Sequence, residues 1–182
     1  MITLSTPNIS GNEWEYIKEC LDTEWVSSAG KYVDLFEEKI CEYTGAKYAI
    51  ACVNGTSALQ VSLLLAGVEP EDEVIIPTLT FIAPVNAIAY NNAKPLFMDV
   101  DEYYNLDSEK TINFIRTKTK FKNGKTYNLE TENCISAIVP VHMWGNAAEL
   151  GELKLLCDER KIAIVEDASE SLGTYYINGQ FD

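Results

Sequence analysis

The sequence lacks several features that would each have settled a function class. It has one histidine, His142, so a histidine-based metal site or a Ser–His–Asp arrangement has no supporting residues. Its five cysteines, Cys20, Cys41, Cys52, Cys134 and Cys157, are scattered and never spaced as CxxC. Zinc and dithiol redox motifs are therefore unsupported, and reduced thiols of a cytosolic protein are the expectation. No apolar run approaches the ~20 residues of a membrane-spanning helix. The opening residues lack the basic and apolar regions of a secretory signal. Neither a GxGxxG fingerprint nor a Walker Gly-Lys-Ser/Thr loop occurs, and there is no internal repeat. Positive charge is scarce: 14 Lys and Arg against 28 Asp and Glu give a net charge of −14. Such a chain repels phosphate backbones, which argues against nucleic acid as a partner. It does not exclude a small anionic ligand, which backbone N–H groups can bind locally.

What is present is an alternation of helical and strand patterns over 182 residues with 47% hydrophobic content. Ser10 and Glu13 have capping-box spacing, and Trp14, Ile17 and Leu21 follow at helical intervals. After the loop of residues 26–30, Tyr32, Leu35, Phe36 and Ile40 predict a second amphipathic helix, ending near Gly45. Residues 48–53, 74–76, 96–100, 135–141 and 162–165 read as strands. Residues 56–65, 83–90, 108–117 and 147–160 read as helices, the last with Asn146 as N-cap. Residues 118–133 are polar and basic, with Asn123-Gly124 as the turn of a small hairpin insertion. The basic run Lys110, Arg116, Lys118, Lys120, Lys122 and Lys125 reads first as solvated surface, with a diphosphate or a partner subunit as the sharper alternative. A final hairpin is expected from residue 174, with Asn178-Gly179 as its turn. Repeated βα units predict a three-layer α/β/α fold, with a mostly parallel sheet whose ligands sit at the strands' carboxyl ends.

Three places along that edge carry chemistry. Gly55, Thr56 and Ser57 open a helix after a strand, where backbone N–H groups and two hydroxyls can cradle a phosphate. A plain threonine cap after an Asn-Gly turn is the alternative. Phe81 lies beyond the strand-ending Pro77, where an aromatic ring can stack on a flat ligand or simply pack in the core. Asp167 follows the apolar run of residues 162–165 and can pair with a cationic ring nitrogen or cap a following helix. Glu170 is the next polar side chain on the same turn.

Taken together, these stretches resemble fold-type-I pyridoxal-phosphate enzymes, and among them the DegT-type nucleotide-sugar aminotransferases. The stretches are WVSSAGKYVDLFEEKICEYTGAKYAIACVNGTSAL, DEVIIPTLTFIAPVNAI, PLFMDVD, AIVPVHMWGNAAEL and AIVEDASESLGT. The resemblance implies the amino-terminal part of the cofactor-binding large domain of the aspartate-aminotransferase architecture over residues 1–182, without the small carboxy-terminal domain. It implies pyridoxal 5′-phosphate as cofactor, with Gly55, Thr56 and Ser57 at its phosphate, Phe81 stacked on its ring, Asp167 at the ring nitrogen and Glu170 near the phenolic oxygen. Many relatives carry Gln or His where Glu170 stands. Ser27 and Ser28 are implied on the substrate side of a homodimer interface, and His142 is read as structural. The Schiff-base lysine of relatives lies downstream, so no catalytic residue is expected before Asp182, and residues 1–182 alone are expected to be inactive. The implied activity is transfer of an amino group, with glutamate as donor, to a UDP-linked 4-keto-6-deoxy-N-acetylhexosamine in cell-surface amino-sugar synthesis. A dehydratase with histidine in place of that lysine, and a non-catalytic binding domain, are the alternatives. No metal, membrane or nucleic-acid partner is expected.

Overall fold

A computed structural model describes residue 2 and residues 6–176. The chain divides into two compact units, Met1–Ala51 and Cys52–Asp182.

The first unit holds two helices, α1 (Glu13–Asp22) and α2 (Lys31–Thr44), as the apolar spacing predicts. Neither has a fully buried residue. The expected capping box does not form. Asn12 is the N-cap of α1, and the Glu13 carboxylate bends back to accept the Gly11 N–H at 2.9 Å. Glu13 is the first helical residue rather than the third, so it is out of register for the box. The helices meet through Glu19, which accepts from Lys31 Nζ and from the Tyr32 hydroxyl, each at 2.6 Å. Those two donors hold the Glu19 carboxyl below its usual range. Gly30 joins the pair with φ of 143°, and a Cβ there would lie 2.0 Å from Trp25 Nε1, so only glycine fits. The Trp25 indole N–H donates to Ala29 O at 2.7 Å and closes the loop that contains Ser27 and Ser28.

The second unit carries α3 (Gly55–Leu65), β1 (Glu73–Pro77), α4 (Ile82–Tyr90), β2 (Lys94–Met98) and α5 (Ser108–Lys118). The hairpin β3 (Thr119–Lys122) and β4 (Lys125–Asn128) follows, then β5 (Cys134–Ile138), α6 (Gly151–Arg160) and β6 (Ala163–Ile164). The strand order is β2-β1-β5-β4-β3, with β6 beside β5. β2, β1, β5 and β6 are parallel, and the hairpin joins the start of β5 antiparallel, so the sheet is mixed with a parallel centre. The hairpin turn is the expected Asn123-Gly124, with φ of 53° and 78°, the left-handed pair that matches strand twist.

Strand alternation feeds two apolar layers. Val74 and Ile76 pack with Leu59, Leu63, Ala87 and Ile88 from α3 and α4. Ile75 packs on the opposite face with Ile112 and Ile115 of α5 and Leu153 and Leu156 of α6. Ile135 and Ala137, two apart, join opposite layers because the register shifts where β5 passes Glu73 and Val74. The result is the three-layer α/β/α arrangement expected.

Three expected elements differ. Residues 48–53 form no strand, and Tyr48, Ile50 and Val53 are exposed. Their composition suits a strand, but a strand exists only where a neighbour supplies a ladder. The helix expected from residue 147 begins at Gly151. Asn146 instead follows a short 3-10 turn, Met143–Gly145, in extended conformation. The expected final hairpin shows no strand at residues 174–176, and its turn lies outside the described residues.

The basic run is surface, as its first reading has it. Lys110 pairs with Asp99 and Asp107, Arg116 with Glu152, and Lys125 with Glu69. Lys118, Lys120 and Lys122 are exposed.

Candidate cofactor site

The site is assembled where the parallel strands end. At the start of α3, Asn54 is extended (φ −164°, ψ 169°) and its Oδ1 accepts the Ser57 N–H at 2.9 Å. Its backbone oxygen accepts the Ala58 N–H at 3.1 Å. The cap is therefore Asn54 and not Thr56. The Thr56 and Ser57 hydroxyls make no hydrogen bond among the described residues. With the N–H groups of Gly55 and Thr56, they leave a set of donors at the positive end of an 11-residue helix. That donor set suits a phosphate.

Phe81 caps α4 just beyond β1 and is 72% exposed. Core packing does not account for it, whereas a stacking ligand would.

Asp167 lies beyond β6, paired with Val141 as an isolated parallel bridge. Its N–H donates to Pro140 O at 2.9 Å, and its oxygen accepts the His142 N–H at 3.2 Å. The residue is only 8% exposed. Among the described residues no helix begins after it. Instead Oδ1 accepts from Ser169, from N–H at 3.1 Å and from the hydroxyl at 2.5 Å. Oδ2 accepts no hydrogen bond among the described residues. A buried carboxylate with one oxygen anchored and one uncommitted is equipped to hold a cationic N–H. Ser169 also ties the parts together, because a Cβ built on Gly55 would lie 3.7 Å from its hydroxyl oxygen. Sequence reasoning missed Ser169. The signal was the Asp-X-Ser spacing, which suits a side-chain-to-backbone turn.

Glu170 is exposed, and its Oε2 accepts the Trp144 N–H at 2.6 Å. His142 is buried, as a structural residue should be. Its Nδ1 accepts the Ala148 N–H at 3.0 Å, so Nε2 carries the proton and donates to Glu166 at 2.8 Å. That bond holds the Glu166 carboxyl below its usual range against the opposing effect of burial. Tyr176 donates to Ala148 O at 2.6 Å, and burial pushes its phenol up to about 12. Ser27 and Ser28 belong to the first unit, where Ser27 lines a hollow of about 430 Å³ with Glu19, Trp25 and Tyr32.

Among the described residues no helix is long and apolar enough to cross a membrane, and no group of His, Cys, Asp and Glu could hold a metal ion.

Comparison with known proteins bears on the family and the fold. GDP-perosamine synthase of Caulobacter vibrioides is 37% identical over 176 residues, 96% of this chain and 43% of that protein. UDP-2-acetamido-2-deoxy-3-oxo-D-glucuronate aminotransferase of Pseudomonas aeruginosa is 34% identical over 81% of this chain and 37% of its own length. The chain thus spans less than half the length of these curated relatives. Among solved structures, a DegT DnrJ EryC1 StrS aminotransferase from Brucella abortus matches with TM-score 0.77 and 32% identity, over 87% of this chain and 40% of that one. 3-Amino-5-hydroxybenzoic acid synthase matches with TM-score 0.79 and 28% identity, over 97% and 42%. The fold is that of the type-I pyridoxal-phosphate aminotransferases, and pyridoxal 5′-phosphate is the cofactor of this group. The model of the DegT/DnrJ/EryC1/StrS aminotransferase family matches residues 7–181, and the chain belongs to that family.

Proposed function

We propose that this chain is the cofactor-binding part of an aminotransferase that moves an amino group from an amino acid, glutamate in the first instance, to a nucleotide-linked 4-keto-6-deoxy sugar. The observation that carries the reading is the Asp167 carboxylate, anchored by Ser169 on one oxygen and uncommitted on the other, beside the donor-rich start of α3. Bound pyridoxal phosphate would supply a ring that withdraws electrons from the carbon bearing the amine. Asp167 would keep a proton on the ring nitrogen, since a close carboxylate favours the charged form. Gly55, Thr56 and Ser57 would hold the phosphate, and Phe81 would cover one face of the ring. Ser27 and Ser28 would serve the sugar side of a homodimer working in the cytoplasm, in the synthesis of cell-surface polysaccharide.

Residues 1–182 alone would not turn over, because family chemistry needs a lysine amine and none of the lysines here stands in a matching context. The test has two arms. In the first, residues 1–182 are mixed with the cofactor and borohydride. The expected result is no adduct on a single specific lysine, and such an adduct would overturn the inactivity. In the second, the full-length protein is incubated with glutamate and then with UDP- or GDP-linked 4-keto-6-deoxy hexoses. An amino sugar is expected. UDP was the carrier expected from sequence, whereas relatives at 37% and 38% identity carry GDP in their names, so both carriers are offered. No amino sugar from either acceptor would overturn the reading.

A further inference from the structure

β6 ends at Ile164, and few backbone bonds carry its line onward to Asp167. Val165 N–H donates to Ile138 O at 3.0 Å, and Asp167 N–H donates to Pro140 O at 2.9 Å. Between those two bonds a parallel ladder would run from the residue 140 N–H to Val165 O, but Pro140 has no N–H to give. The next rung, from His142 N–H to Asp167 O, is long at 3.2 Å. The backbone that presents Asp167 is thus held by a broken ladder.

A side-chain bond joins the same two segments from behind. Val139, Val141 and Val165 pack in the layer with α3 and α4, so alternation turns His142 and Glu166 to the other face, where Ala148 and Leu150 are buried. There His142 Nε2 donates to Glu166 at 2.8 Å, and its Nδ1 accepts the Ala148 N–H at 3.0 Å. The turn around buried His142 is itself tied down. Asn105 Oδ1 accepts the Met143 N–H at 3.0 Å, the Thr174 hydroxyl donates to Gly145 O at 2.8 Å, and Tyr176 donates to Ala148 O. Asp167, one residue beyond Glu166, turns back toward α3, where Ser169 binds its Oδ1. His142 and Glu166 therefore stand on the face away from the start of α3, and they act on a ligand there only through Asp167.

We propose that His142 and Glu166 are a positioning pair for Asp167, replacing the rung that Pro140 omits and keeping Oδ2 aimed at the ring nitrogen of the cofactor. The proposal rests on the cofactor reading above and adds how its carboxylate is held in place. Ser169 lies two residues from Asp167 and travels with the same turn, so it sets the rotation of the carboxylate and not its height above the sheet. A bond from the neighbouring strand end sets the height. Glu166 does this by accepting one N–H, which a glutamine oxygen also accepts.

The test uses the full-length protein and pyridoxamine 5′-phosphate, which binds without a covalent bond, isotopically labelled at the ring nitrogen. The resonance of that nitrogen reports its proton directly. Asp167→Asn should lower the pH at which the proton is lost by about two pH units, and Glu166→Ala and His142→Phe by about one. Glu166→Gln removes the same charge but keeps the bond, so it should titrate as the unaltered protein does. Glu166→Ala should also weaken binding of the labelled compound up to about tenfold, the equivalent of one pH unit. An analogue with carbon in place of the ring nitrogen should be bound within about twofold of normal. A purely structural bond would weaken both compounds alike and leave the ring titration unmoved, and either result in Glu166→Ala would overturn the proposal. So would a Glu166→Gln as impaired as Glu166→Ala. Because Glu166 is half exposed, its variants carry the test even if His142→Phe does not fold. If Asp167→Asn leaves the ring titration unmoved, the cofactor reading of Asp167 falls and the proposal with it. If Asp167→Asn moves it and Glu166→Ala does not, the reading stands and the positioning pair falls.

Discussion

The most amphipathic helices of this chain, α1 and α2, lie in the first unit, yet it is the second unit that buries its apolar residues. Every fully buried hydrophobic residue among those described lies in the second unit. In the first, α1 and α2 meet through Tyr16 and Tyr32, with rings 5.1 Å apart, and leave Trp14, Ile17, Leu21 and Phe36 more than half exposed. An apolar stripe makes a helix possible. A core requires a second layer to receive it, and in the second unit the sheet receives helices on both faces.

The sharpest way to break this contrast is to truncate a core residue. Leu63→Ala should cost about 2–5 kcal/mol, read as a lower denaturation midpoint of the second unit. A loss as small as that of a surface substitution would mean that the layer beneath α3 is loosely packed.

Next comes the site that the packed unit carries. In the full-length protein, Asp167→Asn should retain cofactor, because the donors of Gly55, Thr56 and Ser57 remain. It should lower kcat by about 10²-fold or more, since a neutral amide does not favour the ring proton electrostatically. Near-normal turnover, with only the ~1 kcal/mol loss of stability typical of a cap, would reduce Asp167 to a structural turn residue.

Each unit also has a carboxylate held below its usual range, and the two should respond differently to salt. Glu166 is held by buried His142, and Glu19 by exposed Lys31 and Tyr32. A depressed folded pKa contributes stability above the ordinary value of 4.5 and loses it as pH falls through the depressed value. In about 1 M salt, where the screening length is ~3 Å, the acid sensitivity due to Glu19 should fade and that due to Glu166 should persist. Titration of the two carboxyl resonances by NMR checks this, and equal screening would show that His142 is wetter than its burial implies.

The smallest effect is expected in the first unit. Leu21→Ala should change stability by no more than about 0.5 kcal/mol in denaturant unfolding of residues 1–182. A core-sized loss would show that the apolar face of α1 is covered in solution.

Reading the sequence located most elements of the second unit because their signals are local. Asn123-Gly124 specifies the hairpin turn by its own backbone preferences, and Pro77 marks the end of β1. The donors at Gly55, Thr56 and Ser57 were legible for the same reason, since a helix start has unpaired N–H groups whatever surrounds it. Residues 48–53 misled because composition can qualify a strand but cannot provide its neighbour. The start of α6 misled because residues 143–148 are bent by partners distant in sequence. Asn105, Glu170 and Thr174 lie 38, 26 and 29 residues from the backbone groups they hold.

By itself, then, the sequence determined the alternation of elements, the family, the donors that open α3 and the carboxylate that follows β6. These follow from short-range pattern and from chemistry that few residue types can perform. Tertiary structure decided that Glu170 reaches back to Trp144 and that Asn105 holds Met143, because these partners lie 26 and 38 residues apart in the chain and no local preference encodes their meeting.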